Sequence, residues 1–230
     1  MKTLIQFFDS TLGKKLVMGI TGLLLFGFVI FHMIGNLQVF MGPEALNKYA
    51  HFLKSKSLIV WGGRFWLLAL VIMHIYSAIR LTKENRAARG NEPYLEAKPH
   101  KATYSSRTMM MSGLIVLAFI IYHLLHFTVL FTNPEFAEFH DEKGRHDVYR
   151  MVVVGFSSPI VAFFYITGMA LLCMHLNHGV NSLFQTLGLR NQQTRKWIDC
   201  FSGGAAWVLF LGNISIPLAV LAGWIKLAGS

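Results

Sequence analysis

Apolar residues fill five long stretches of this chain, and charged and polar residues collect between them. The stretches run roughly over 16–40, 58–82, 107–131, 151–178 and 201–227, each near the ~20 residues a helix needs to cross the hydrocarbon of a bilayer. Backbone in hydrocarbon must bond within its own segment, so each stretch predicts a helix. The expected fold is all-α: an integral membrane bundle of five transmembrane helices, forming a single domain over 1–230 with no room for a large soluble one. Pro159 and Pro217 fall inside the fourth and fifth stretches and mark kink positions. The opening segment, MKTLIQFFDSTLGKK, lacks an apolar run followed by a small-residue cleavage site. It reads as a short amphipathic segment lying on the membrane surface.

Composition agrees with the pattern. Of 230 residues, 54% are hydrophobic and only 14% are charged, where a soluble domain carries about 25% charged residues. A net charge of +10 would suggest nucleic acid in a soluble protein. Here the basic residues sit between spans, where topology and anionic membrane lipid account for them, and no nucleic acid partner is expected. Most of the 21 Lys and Arg residues fall on one side if the N-terminus is cytoplasmic. The acidic connection over 132–150 then lies outside, while the basic first outer loop (Lys48, Lys54, Lys56 and Arg64) runs against the assignment. The balance favours an N-terminus inside and a C-terminus outside.

Histidine changes the picture most. The chain has 10, and His32, His74, His123, His126, His175 and His178 fall in or at the ends of spans, where an ionisable residue marks function by default. Depth follows from a rise of ~1.5 Å per residue along antiparallel helices. His32 and His123 reach nearly the same outer level, and His74 and His175 both lie in the inner half. Four helices therefore offer two histidines at each of two heights, which is the pattern two stacked bis-histidine haems b need. The first four helices would surround these haems and the fifth, which lacks histidine, would pack outside. Each helix also carries a small residue seven or eleven positions before its histidine, on the same face: Thr21, Gly63, Ser112 and Gly168. Depth prefers His123 to His126 and His175 to His178, with the second of each pair left as an alternative. A zinc or copper site would need ligands converging on one point. Cys173 and Cys200 form no CxxCH, so covalent haem attachment is not expected. Arg107 and Arg64, at opposite membrane levels, are candidates to pair with haem propionates, although both also suit interfacial anchoring.

The motifs carrying these histidines are FHMIGN around His32, YAHFLKS over 49–55, MHIYSAIRL around His74, SSRTM and SG leading to IYHLLHF around His123, and MHLNHGVNSLFQTLG from Met174 to Gly188. Together they resemble the diheme cytochrome b membrane anchor of succinate dehydrogenases and fumarate reductases, in its single-polypeptide form. The resemblance implies haem ligation by His74/His175 on the cytoplasmic side and His32/His123 on the outer side. It implies a flavoprotein subunit and an iron–sulfur subunit docked on the inner face, at the 83–106 loop and the extension toward Lys196, with menaquinone or ubiquinone as membrane substrate. The chain has no GxGxxG and no cysteine ligand set, so dicarboxylate chemistry would belong to another subunit and electron transfer to this one. The expected location is the cytoplasmic membrane of a bacterium. A diheme cytochrome b of a hydrogenase or formate dehydrogenase, and a haem-free proton-coupled transporter using histidine relays, are the rival readings.

Overall fold

A computed structural model of the chain describes residues 2–89 and 104–227, with side chains over 6–88 and 109–227. It is all-helical, and five of its helices are long and apolar enough to cross a membrane. Among the described residues the only β pairing is an isolated bridge between His140 and His146.

A short amphipathic helix, α1 (Lys2–Asp9), leads into the first span, α2 (Thr11–Asn36). Ser10 caps α2 by accepting a hydrogen bond from the Gly13 N–H at 3.0 Å, satisfying one of the donors every helix start leaves open. A 3₁₀ turn over Leu37–Met41 follows. It ends at Gly42, whose φ of +92° suits a residue without a Cβ. Pro43 then opens α3 (Pro43–Ser55), where its missing N–H costs nothing. The second span, α4 (Ser57–Arg89), is 33 residues long, about 50 Å at the usual rise, and so projects beyond the hydrocarbon. The third is α5 (Tyr104–Phe127).

The fourth stretch departs from the expected single span over 151–178. The chain instead forms a separate short helix, α6 (Val148–Phe156), breaks at Ser157 and Ser158, and starts again as α7 (Pro159–Thr186). Pro159 is therefore not a mid-span kink; it occupies the first turn of α7, where proline is favoured. The last span, α8 (Arg195–Leu221), begins and ends about two turns earlier than the apolar run suggested. Pro217 does lie inside it.

Packing places the spans around a square. α2 packs against α4, α2 against α7, and α7 against α5, while α8 seals the outside against α7 and, less extensively, α2. The α4–α5 edge and both diagonals, α2–α5 and α4–α7, lack extensive backbone contact among the described residues. One apolar cluster (Phe26, Met33, Cys173, Ala206, Leu209) joins α2, α7 and α8. The other gathers Phe119, Tyr149, Phe156, Tyr165 and Ile216 with Val39 and Leu46 at the end of the bundle that carries α3 and α6. That end is called the cap end below, and the end carrying α1 the base.

The cap is held by polar contacts far apart in sequence. Asn47, 1% exposed, donates to Asp147 Oδ1 at 2.9 Å and accepts from the Tyr149 N–H at 2.9 Å. Asp147 also caps α6 by accepting from the Arg150 N–H at 3.0 Å. Arg145 Nη2 reaches Glu44 Oε2 and Asp141 Oδ2, each at 2.7 Å. At the base, buried Lys14 pairs with Glu84 at 2.7 Å and bonds the Asp9 carbonyl, tying α1 and α2 to the end of α4.

Candidate cofactor site

The square explains how four histidines from four helices meet in twos. His32 of α2 and His123 of α5 face each other across one diagonal, with ring centres 5.7 Å apart and planes at 89°. His74 of α4 and His175 of α7 do so across the other, at 6.4 Å and 68°. The backbones stay apart on both diagonals, so it is the imidazoles that span the interior. The first pair lies toward the cap and the second toward the base.

Hydrogen bonds orient the rings. His74 Nδ1 lies 3.1 Å from the Met18 carbonyl oxygen, which can only accept, so His74 carries its proton on Nδ1. Thr21 Oγ1, 3.2 Å from the same nitrogen, donates its own proton to the Val17 carbonyl at 2.7 Å and so also accepts. The base-end partner follows the same logic. Ser112 Oγ donates to the Met109 carbonyl at 3.0 Å and lies 3.2 Å from His175 Nδ1, leaving its lone pair for the imidazole N–H. With Ser112 accepting as Thr21 does, both base-end rings carry the proton on Nδ1 and keep the Nε2 lone pair available to a metal. This is the arrangement in which an outer hydrogen bond fixes the tautomer of a metal-binding histidine.

Two imidazoles held on opposite sides of one metal ion, by nitrogen–metal bonds of about 2 Å, have ring centres about 6 Å apart. The observed 5.7 and 6.4 Å bracket that value. Among the described residues no group of three or more His, Cys, Asp or Glu is placed to hold a metal ion; the imidazole donors at the bundle centre come in twos. Neutral imidazoles that meet in twos are a donor set that would suit a haem iron.

Thr21 and Ser112, picked out as small residues eleven positions before His32 and His123, sit beside the base-end histidines, but as hydrogen-bond acceptors as well as small groups. Gly63 has open space where a Cβ would project. Gly168 faces the Phe119 ring, which a Cβ there would meet at 2.4 Å, so it serves close packing of α7 on α5. His126 does not join His32. It is 1% exposed, has its ring centre 4.0 Å from that of Phe127 with the planes tilted by 34°, and bonds the Tyr165 hydroxyl at 3.0 Å. His178 lies a turn beyond His175, toward the base. Arg64 is exposed, and its guanidinium lies over the Trp61 ring, 4.8 Å from the centroid. The Arg107 side chain lies outside the described residues, as does much of the 83–106 connection.

Tyr165 was not singled out in the sequence. Its hydroxyl lies 3.4 Å from His123 Nδ1. The depth argument contains the signal: Tyr165 stands ten residues, about 15 Å, from His175 along α7, at the level of His123, and a buried tyrosine hydroxyl needs a partner.

Fold and site together define a class: an integral membrane four-helix square with a fifth helix outside, built around two pairs of inward histidines. The sequence model of the succinate dehydrogenase/fumarate reductase transmembrane subunit matches residues 83–212, more than half of the chain. The protein belongs to that family, whose members are the membrane subunits of succinate dehydrogenase and fumarate reductase complexes. The match takes in His123 and His175, but neither His32 nor His74. No curated protein and no solved structure matches the chain. Family membership displaces the hydrogenase, formate dehydrogenase and transporter readings.

Proposed function

We propose that the chain is the electron-transferring anchor of a succinate:quinone oxidoreductase or quinol:fumarate reductase, holding one haem b between His32 and His123 and a second between His74 and His175. The observation that carries this reading is the meeting of imidazoles across both diagonals at two separate heights. Haem, when bound, supplies one-electron transfer at a potential that ligands, hydrogen bonds and burial adjust. The chain's own part is to present Nε2 from each ring, to lock Nδ1–H on Met18, Thr21 and Ser112, and to keep water from the donors with apolar helices. Thr21 and His32 are eleven residues apart on α2, so the two levels are separated by about 16 Å along the bundle.

In this reading a flavoprotein and an iron–sulfur subunit dock at the base, on the cytoplasmic face, and menaquinone or ubiquinone exchanges electrons from the membrane. The N-terminus is then cytoplasmic. Arg64, stacked on Trp61 in the second turn of α4, suits anchoring at the interface better than propionate pairing. The test is a reduced-minus-oxidised visible spectrum and haem count on the purified complex and on four alanine variants. His32→Ala and His123→Ala should lose the same haem, and His74→Ala and His175→Ala the other. A folded, haem-supplied complex without a cytochrome b band, or losses that pair differently, would overturn the reading.

A further inference from the structure

Beside the cap-end pair lies a hydrogen-bonded chain that the ligand assignment does not use. Tyr165, 6% exposed, sets its hydroxyl 3.0 Å from His126 Nδ1 and 3.4 Å from His123 Nδ1. One hydroxyl carries one proton, so it can donate to only one of the two rings. If His123 presents Nε2 outward, its proton sits on Nδ1 and is donated to the Tyr165 oxygen. The Tyr165 proton then goes to His126 Nδ1. The opposite direction would put the His123 proton on Nε2 and leave that nitrogen unable to ligate. His126 thus gives the Tyr165 proton an acceptor in the direction that leaves His123 Nε2 free.

The same device recurs at the base with different residues. Thr21 and Ser112 each give their proton to a carbonyl of their own helix, which leaves their oxygens as acceptors for an imidazole N–H. At the cap end, among the described residues, a second histidine stands where such a carbonyl would. His32 has no side-chain hydrogen bond among the described residues; its ring stacks on Phe28, with centres 5.4 Å apart. Among the described residues, the one side-chain hydrogen bond on a cap-end donor ring is therefore that between Tyr165 and His123.

Resting on the proposed haem ligation, we infer that Tyr165, held by His126, is the positioning residue for His123 and sets the reduction potential of the group bound between His32 and His123. A phenol that donates its own proton is a stronger acceptor, because linked hydrogen bonds polarise one another. A stronger acceptor on Nδ1–H makes Nε2 more basic, and a more basic ligand favours the oxidised metal. The dyad therefore holds that potential down.

Tyr165→Phe tests this cleanly. The ring packs on Phe119, Phe127 and Phe156 at 5.4, 5.8 and 4.9 Å, and phenylalanine keeps that packing while removing only the hydroxyl. Redox titration of the b band in the purified complex should find both haems present. One midpoint should rise, with reduction favoured by up to about tenfold, or ~59 mV for one electron, and the other should be unmoved. His126→Leu, which keeps the phenol and removes its acceptor, should move the same midpoint the same way by less. Thr21→Val should move only the other midpoint. Two haems with both midpoints unchanged in Tyr165→Phe would overturn the inference and leave the ligand assignment standing. A wild-type complex without haem would remove the assignment itself, and the inference with it.

Discussion

Asn47 joins two segments that lie 100 residues apart, and truncating it to alanine should loosen the cap without touching a histidine. Two hydrogen bonds disappear, one of them to a carboxylate. Each such bond contributes about 1 kcal/mol net, and a buried N–H left without a partner costs a further ~1–3 kcal/mol. The Tyr149 N–H would be such an orphan, since it is one of the first donors of α6, has no partner within that helix and belongs to a residue 8% exposed. The total is about 3 kcal/mol, or roughly a hundredfold in a local opening equilibrium. Amide hydrogen exchange in detergent should therefore speed up by about that factor at Tyr149 and Arg150, while amides in the middle of α7 keep their protection. Asn47→Asp is the complementary variant: it retains an acceptor for the Tyr149 N–H but sets a second carboxylate against Asp147. Exchange at Tyr149 and Arg150 that stays within a few-fold of wild type in Asn47→Ala would refute the claim that this one amide fastens α3 to α6.

Other consequences can be measured on the same preparation. Gly168→Ala puts a Cβ 2.4 Å from the Phe119 ring. Overpacking costs about 1–3 kcal/mol and the gain in helix propensity returns up to ~1 kcal/mol, so thermal unfolding should show a net loss of about 1–2 kcal/mol. Phe119 lies 6.4 Å from His123 and 5.4 Å from Tyr165 by ring centres, so if haem is held as proposed, haem counting should find the one at the cap end depleted first. The cap should also be acid-sensitive. Hydrogen bonds from Arg145 and Lys143 hold the Glu44 carboxyl at about 2, against an ordinary 4.5. Partial burial would raise Asp141, but bonds from the Arg145 side chain and the Arg145 and Lys143 N–H groups outweigh it and bring it to about 2, against 3.8. Lowered carboxylates stabilise fully above their ordinary values and lose that contribution as pH falls toward the lowered ones. Pepsin cleavage of the 134–147 segment should therefore rise as pH drops from about 4.5 to about 2, and Arg145→Gln should flatten that dependence.

Much of this arrangement was legible in the sequence because a bilayer enforces simple rules. Hydrocarbon thickness set the helix count, and a fixed rise per residue was enough to sort His32 with His123 and His74 with His175. Where the chain leaves the hydrocarbon, those rules stop applying. The break between α6 and α7 was hidden by an apolar run continuous across it, although Ser158 before Pro159 is a helix-start signal. The docking of Asn47 on Asp147 depends on which loops fold together and has no local pattern. Tyr165 was passed over because an aromatic in an apolar span looks like filler until its hydroxyl has to be satisfied. Gly168 was recognised as small for good reason, but its neighbour turned out to be the side chain of Phe119.

The square divides into two covers of a book. One cover, α2 with α4, carries His32 and His74; the other, α5 with α7, carries His123 and His175; the spine is the seam where α2 lies on α7. Each cover holds one half of both clasps, so neither alone brings two imidazoles together at any height. A flat molecule gripped at either height fastens one cover to the other, and its binding free energy becomes part of what keeps the book shut.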